Sequence, residues 1–111
     1  MSWCVYILRC EPDTLYTGST PDLARRMQQH CGKVPGGAKY TRSHPPLALA
    51  AVWETQDAHT ARSIEWHIKR LDRRRKLALI ADPLLLQDLL GDCAASAAAL
   101  DPTAYQKMIV D

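Results

Sequence analysis

Five polar side chains in the first two thirds of the chain are of the types used in phosphate and proton chemistry. They are Tyr6, Tyr16, Arg26, His30 and Glu65. A tyrosine or a histidine can move a proton, an arginine can grip an oxyanion through its planar guanidinium, and a carboxylate can bind a hard cation. These side chains can act together only if the elements that carry them converge.

Local sequence predicts that four of the five side chains lie in pairs. Glu11-Pro12-Asp13 separates two strand-like segments, so residues 3–18 are predicted to form a β-hairpin that places Tyr6 and Tyr16 on a common face. Arg26 and His30 are four residues apart in a predicted helix and share its flank. Each also has a simpler interpretation, as a core tyrosine or a solvated helix side chain.

Glu65 lies at the edge of the apolar stripe of a second predicted helix. A carboxylate partly withdrawn from water needs a basic partner, hydrogen bonds or a metal ion to offset its desolvation. Arg62 and Lys69 lie within helical reach, so an ion pair is an alternative to a metal site.

The pattern as a whole predicts a small α/β (α+β) protein with a mostly antiparallel, three-stranded sheet flanked by helices, and a helical C-terminal extension. Gly18 is predicted to end the second strand as a structural turn. Residues 32–46, with three glycines and three prolines, are predicted to form a loop, and residues 92–111 a loosely attached helix or a frayed tail. Further elements are predicted as a helix from a Thr20 N-cap to about Cys31, a strand over 47–53, and helices near 58–71, 74–80 and 82–90.

The charge of the chain is unevenly distributed. Residues 1–80 hold 13 Lys and Arg against 7 Asp and Glu, whereas residues 81–111 hold one base and 5 acids. A basic body favours a polyanionic partner such as nucleic acid. The candidate contact residues are Lys69, Arg70, Arg73, Arg74, Arg75 and Lys76 in a basic run, and Lys39, Tyr40 and Arg42 in the glycine-rich loop, where Tyr40 could stack on an unpaired base.

Composition excludes several classes of protein. The 111 residues are 47% hydrophobic and 23% charged, as in ordinary globular domains, and no run approaches the ~20 apolar residues of a membrane span. Cys4, Cys10, Cys31 and Cys93 are scattered without a metal-binding pair, so free thiols are predicted. The N-terminus has no secretory signal pattern, and a cytoplasmic location without membrane contact is expected.

The motifs, taken in order, resemble the GIY-YIG nuclease superfamily, and in particular its small stand-alone bacterial members. Cys4-Val5-Tyr6 and Tyr16-Thr17-Gly18 stand where the two signature triplets occur. The similarity continues through residues 22–26 and His30, the Gly-Ala-Lys-Tyr-Thr-Arg segment at 37–42, and the glutamate helix at 61–65. Cys-Val in place of Gly-Ile, and Thr17 at the centre of the second triplet, are departures that leave both tyrosines and Gly18 in place.

This resemblance implies a nuclease domain over residues 1–80, followed by an Ala-rich acidic extension over 81–111. It implies metal-dependent cleavage of DNA, with Glu65 as the ligand of Mg²⁺ or Mn²⁺ and Arg26 on the scissile phosphate. Tyr16 or Tyr6 would be the general base, and His30 would hydrogen-bond to that tyrosine or to the phosphate. A domain this small suits single-stranded or branched DNA with little sequence readout.

Two other interpretations remain open. A binding module or adaptor could keep the fold and its basic surface without efficient cleavage, and the acidic extension could dock a protein partner. The oligomeric state is expected to be a monomer or a weak dimer.

Overall fold

Four antiparallel strands form the sheet of this computed structural model, which describes residues 2–105. Their order is β2-β1-β3-β4, with bounds β1 Trp3–Cys10, β2 Thr14–Thr20, β3 Pro46–Thr55 and β4 Ala98–Leu100. The predicted antiparallel sheet is confirmed, but the prediction of three strands is wrong. The fourth strand lies in the segment predicted as helix or frayed tail. It pairs with Val52, Trp53 and Glu54, because the otherwise open edge of β3 offers a ladder that outweighs the helix propensity of an alanine-rich segment.

The helices lie on both sides of this sheet. They are α1 Leu23–His30, α2 Lys39–Ser43, α3 Ala58–Lys69, α4 Arg73–Ala81 and α5 Leu86–Leu90, with 3₁₀ turns at Pro83–Leu85 and Gly91–Ala94. Helix α2 falls inside the predicted loop. Its Thr41 hydroxyl donates a hydrogen bond to the Ala38 carbonyl at 3.0 Å. The glycines and prolines of this region predict a loop and give no indication of this local bond.

Helix α1 begins two residues later than predicted. The side chain of Asp22 accepts a hydrogen bond from the backbone N–H of Arg25, which makes Asp22 the N-cap. The hydroxyl of Thr20 instead accepts from the backbone N–H of Asp22 at 3.1 Å. Thr20 therefore shapes the turn that leads into the helix and does not cap it.

A hydrophobic cluster covers each face of the sheet. One contains Val5, Ile7, Ala51 and Trp53 packed against α3, α4 and α5, through residues that include Ile64 and Leu79. The other contains Tyr6, Leu8, Leu49 and Val52 packed against Leu23 and Met27 of α1. The sheet thus forms the middle of three layers, and two differently composed helical layers flank it.

The segment after α4 contributes to the first cluster. Leu86 and Ala94 are both buried there, and the indole N–H of Trp53 donates to the Pro83 carbonyl at 2.9 Å. Within the expected loose tail, Ala94 is buried and Ala98–Leu100 pairs with β3, so these parts are attached to the fold, whereas residues 106–111 lie outside the described residues. The division of the chain at residue 80 stays a prediction. All four cysteines are free thiols, as predicted. Between residues 2 and 105, no helix has the length and apolar character needed to cross a membrane.

Candidate active site

The register of the hairpin decides which side chains face which helical layer. Tyr6 pairs with Gly18, and both lie on the α1 side; the neighbouring pair, Val5 and Ser19, lies on the α3 side. Strand β2 is the outermost strand of the sheet. Side chains of α1 on one face and of α3 on the other can therefore meet beside the C-terminal end of β2. An open cleft forms there, lined by residues that include Ser19, Arg26, Gln29, Arg62, Glu65 and Lys69.

Gly18 lies within β2, opposite Tyr6, and not in a turn as predicted. A Cβ atom at this position would lie 2.5 Å from the hydroxyl oxygen of Tyr6 and 2.7 Å from its Cζ. The glycine is required because the Tyr6 ring lies directly over the backbone of β2.

A chain of hydrogen bonds fixes the Tyr6 hydroxyl. It lies 2.7 Å from Nε2 of His30, and Nδ1 of His30 lies 2.9 Å from the hydroxyl of Thr41. The single hydroxyl proton of Thr41 is donated to the carbonyl of Ala38, so Thr41 must accept from Nδ1. His30 therefore carries its proton on Nδ1, and Nε2 accepts the proton of Tyr6.

Burial sets the protonation of this pair. Desolvation, together with the nearby positive charge of Arg26, lowers the pKa of His30 to about 4, so the imidazole is neutral at pH 7. Burial likewise raises the pKa of the Tyr6 hydroxyl above its ordinary value, although Arg26 acts in the opposite direction. The resting state is a neutral phenol that donates to a neutral imidazole.

Arg26 is anchored at the entrance to the cleft. Its Nη1 donates to Oε1 of Gln29 at 2.9 Å and to the carbonyl of Gly36 at 2.8 Å. Burial lowers the pKa of Arg26, but interactions with Tyr6 and Tyr16 outweigh this effect and the net shift is upward. The guanidinium is thus held charged beside both tyrosines, with no carboxylate within ion-pair distance among residues 2–105.

Tyr16 joins the buried pair to an aromatic stack. Its ring centroid is 6.4 Å from that of Tyr6 and 5.3 Å from that of His30. On its other side Tyr16 stacks against Tyr40 at 5.6 Å, and Tyr40 stacks against His44 at 4.2 Å. Tyr40, predicted as a platform for a base, is therefore already stacked between two rings, and α2 is the element that places it beside the site.

Glu65 reaches the cleft from α3. Its Oε1 accepts a hydrogen bond from the Ser19 hydroxyl, and its Oε2 lies 2.7 Å from Nζ of Lys69. The Glu65 side chain is 22% exposed, so the carboxylate is half-withdrawn from water but still accessible. The predicted ion pair between Glu65 and Lys69 is confirmed.

The donor set fits a hard cation bound in one particular way. Glu65 is the one carboxylate among the lining residues of the cleft, and residues 2–105 hold no group of three or more His, Cys, Asp and Glu side chains arranged to bind a metal. Mg²⁺ is commonly held by one or two carboxylates, with water and substrate phosphate completing its shell. Glu65 suits that role, because its carboxylate lies in an open cleft with room for water and a phosphate.

The residues of the predicted basic run have different partners. Lys69 lines the cleft, and Arg70 lies over the Trp66 ring at 4.6 Å. Arg73 instead pairs with Asp13 at 3.1 Å, in the turn between β1 and β2 at the far end of the hairpin. Arg75 pairs with Asp72 at 3.2 Å.

The other predicted contact residues are also dispersed. Arg74 and Lys76 lie on α4, away from the described lining of the cleft. Lys39 and Arg42 belong to α2, where Arg42 donates to the Gly37 carbonyl at 3.2 Å. The structure thus brings Tyr6, Tyr16, Arg26, His30 and Glu65 together, with Tyr40 adjacent, and leaves most of the basic run elsewhere.

Sequence reasoning missed Ser19, Thr41 and Trp66, and it considered Arg62 only as a possible ion-pair partner of Glu65. Ser19 and Thr41 position Glu65 and His30, and Arg62 and Trp66 line the cleft. Thr41 stands in the 37–42 motif, and Arg62 and Trp66 flank Glu65, so their positions carried a signal. Ser19 carried none, because its role depends on a contact between residues 46 positions apart.

The sequence matches the model of one protein family. A family model described as the GIY-YIG catalytic domain matches residues 2–78, and the chain belongs to that family. The resemblance predicted from the motifs is confirmed.

The individual relatives share a single kind of name. The UPF0213 protein BH0048 of Halalkalibacterium halodurans is 42% identical over 82 residues, which cover 73% of this chain and 84% of that protein. A UPF0213 protein of Yersinia pestis strain Pestoides F is 41% identical over 92 residues, which cover 81% of this chain and 94% of that protein. The solution NMR structure of UPF0213 protein BH0048 from Bacillus halodurans is 38% identical, covers 82% of this chain and 98% of that chain, and has a TM-score of 0.48.

Proposed function

We propose that this protein is a metal-dependent endonuclease that hydrolyses phosphodiester bonds in DNA. The observation that carries the proposal is that an accessible carboxylate and an arginine without an acidic partner in the described chain line one cleft, and that this arginine also contacts a buried, hydrogen-bonded tyrosine–histidine pair. Metal-dependent phosphodiester hydrolysis uses a proton acceptor for water, a cation against the phosphate and a site that binds a metal. Membership of the GIY-YIG family supports the same class of reaction.

Tyr6 and His30 form the proton path in this proposal. Tyr6 accepts a proton from the attacking water while its own proton passes to Nε2 of His30, which already accepts a hydrogen bond from it. The low pKa of His30, due to burial and then to Arg26, opposes this transfer in the free protein. A phosphate bound to Arg26 would neutralise the second of these causes, so substrate binding would favour the transfer.

Arg26 is the group that binds the scissile phosphate. Gln29 and Gly36 fix its position through Nη1, and the remaining guanidinium N–H groups, which face the two tyrosines, would donate to an oxyanion. Negative charge that builds up on the phosphate in the transition state is stabilised by a cation already in place.

Glu65 would hold Mg²⁺ or Mn²⁺, which supplies charge stabilisation and acidifies a bound water. Lys69 occupies Oε2 in the free protein and must release it for a cation to bind there. Ser19 keeps the other carboxylate oxygen oriented throughout.

The substrate proposed is single-stranded or branched DNA, read with little sequence specificity, in repair, recombination or DNA processing in the cytoplasm. Lys39 and Arg42 are exposed on α2, the helix that also carries Tyr40 and Thr41, and they suit phosphate contacts that carry no sequence information. Tyr40 extends the aromatic surface from Tyr16 towards them.

A cleavage assay on end-labelled single-stranded, duplex and branched DNA tests the proposal. We expect cutting with Mg²⁺ or Mn²⁺ and none in EDTA, with restoration when excess metal is returned. Absence of cutting on every substrate with every metal would contradict the proposal.

One observation favours a second candidate, a nucleic-acid-binding module. Both oxygens of Glu65 are engaged by Ser19 and Lys69, which is an arrangement that needs no metal. Salt-dependent DNA binding without any cleavage in the assay above would support this candidate.

A further inference from the structure

An exposed face of α3 carries alternating aromatic and cationic side chains. Arg62, Trp66 and Arg70 are spaced by four residues, so they lie in one row about 12 Å long. Trp3 meets the start of the row, since the Arg62 guanidinium lies 5.2 Å from the centre of its ring. Arg70 lies 4.6 Å from the centre of the Trp66 ring. We call these four residues the α3 stripe.

The exposure of Trp66 is not explained by the fold. Its side chain is 55% exposed, although tryptophan is among the most costly side chains to leave in water. Cation–π contact with Arg70 covers only part of one ring face. The ring also meets the His67 ring edge-to-face at 5.0 Å, and its remaining exposed surface is available to a ligand.

The cations of the stripe also differ from those that follow it. Arg73 and Arg75 each pair with an aspartate, whereas no carboxylate of residues 2–105 pairs with Arg62 or Arg70. Two uncompensated guanidinium groups beside an exposed indole suit phosphates on either side of a stacked base.

The stripe is continuous with the candidate active site. Trp3, Arg62 and Trp66 line the same cleft as Glu65 and Arg26. A nucleic-acid strand bound along the stripe would therefore reach Glu65 and Arg26. At the ~3.4 Å spacing of stacked bases in one strand, its length accommodates about three or four nucleotides.

These observations identify the occupant. In a duplex both faces of each base are already covered by neighbouring bases, so an indole at the surface has nothing on which to stack. We infer that the α3 stripe binds an unpaired DNA strand, with Trp66 stacked on a base and Arg62 and Arg70 on flanking phosphates, and leads that strand into the cleft. This inference rests on the proposed function only for its direction towards the cleft; the binding itself needs no cleavage.

Fluorescence anisotropy with labelled oligothymidine of 20 nucleotides, in EDTA and low salt, tests the inference without any reaction. We expect Trp66→Ala to weaken binding about fivefold to a hundredfold, and Trp66→Phe to restore most of it. Arg70→Ala should lower the slope of log affinity against log salt by about 0.7. Leu84→Ala, which truncates a leucine that is 79% exposed, and Arg9→Ala, which removes one charge at the far end of the hairpin, should bind as the wild type does.

Binding to a blunt duplex of the same length completes the test. We expect Trp66→Ala to leave duplex affinity unchanged. Wild-type affinity of Trp66→Ala for oligothymidine, or equal losses on single strand and duplex, would overturn the inference. So would a fall in oligomeric state with unchanged DNA affinity, which would assign Trp66 to contact between copies of the chain. If Trp66-dependent binding is found but no metal supports cleavage, the proposed function fails and the stripe stands.

Discussion

The protonation state of His30 follows from the atoms around it. Thr41 can only accept from Nδ1, because its own proton is donated to the Ala38 carbonyl, and Nε2 is left to accept from Tyr6. A second proton on this buried ring would break the bond to Tyr6 and place a charge near Arg26. The folded protein therefore binds a proton at His30 much less readily than the unfolded chain.

This difference predicts how stability depends on pH. The pKa of His30 is about 4 in the fold, lowered by burial and by Arg26, against an ordinary 6.5. Between these values the unfolded state binds the extra proton, so stability contributed by neutral His30 is complete above pH 6.5 and is lost as the pH falls towards 4. Urea denaturation should show that the free energy of unfolding falls between pH 7 and pH 5. We expect this fall to be about 1–2 kcal/mol smaller in His30→Gln than in the wild type.

The exposed His59 supplies the matched control. His59→Gln should keep the pH dependence of the wild type. The same pH dependence in His30→Gln and the wild type would contradict the neutral, buried state of His30.

Gly18 leads to a second prediction at this scale. Gly18→Ala places a methyl group within 2.5 Å of the Tyr6 hydroxyl, so the ring must move and its bond to His30 is disturbed. We expect a loss of about 1–3 kcal/mol in urea denaturation, as for other overpacked cores, with altered NMR signals of the His30 ring. Thr14→Ala, in the same strand but half-exposed, should change neither. Unchanged NMR signals of the His30 ring, in a Gly18→Ala variant as stable as the wild type, would show that Tyr6 does not need this glycine.

Among the elements, those with strong local patterns were predictable and those formed by distant contacts were not. The hairpin and α3 follow from turn residues and helical spacing within one segment. Strand β4 could not be predicted, because it exists only where Ala98–Leu100 meets the edge of β3. The site shows the same division: Arg26 and His30 share a predicted helix face, whereas the contact of Ser19 with Glu65 joins two distant elements.

The start of α1 gives a prediction for one element. Because the side chain of Asp22, and not that of Thr20, accepts from the first turn of the helix, Asp22→Ala should destabilise the protein by about 1 kcal/mol. Thermal or urea unfolding measures this loss. Asp92→Ala, an exposed aspartate outside α1, should remain close to the wild type. Equal effects of the two substitutions would argue against Asp22 as the cap.

The molecule as a whole depends on its C-terminal segment. Leu86 and Ala94 pack in the same cluster as Ile64, on the side of the sheet that carries Glu65. A segment that looked from its composition like an appendage thus supports the helix that presents the candidate metal ligand. The composition around Ala94 gave no sign of this packing, because an alanine-rich sequence has no distinctive apolar face.

Two leucines of this segment provide a matched test. Leu86 is 3% exposed and Leu84 is 79% exposed, so the same truncation removes buried contacts in one case and solvated surface in the other. Leu86→Ala should cost about 2–5 kcal/mol in the free energy of unfolding, and Leu84→Ala less than about 0.5 kcal/mol. Similar, small losses in both variants would mean that the segment is not part of the folded core.

The most direct test of the account compares two glutamates in single-turnover cleavage of labelled single-stranded DNA with Mg²⁺ or Mn²⁺. Glu65→Gln keeps the size of a side chain in the cleft but removes its charge, and Glu54→Gln makes the same change at an exposed position on β3. If Glu65 holds the metal, Glu65→Gln should cut on the order of 10²-fold more slowly, or worse, while Glu54→Gln cuts at the wild-type rate. Equal rates for a folded Glu65→Gln and the wild type would contradict the assignment of this cleft as the active site.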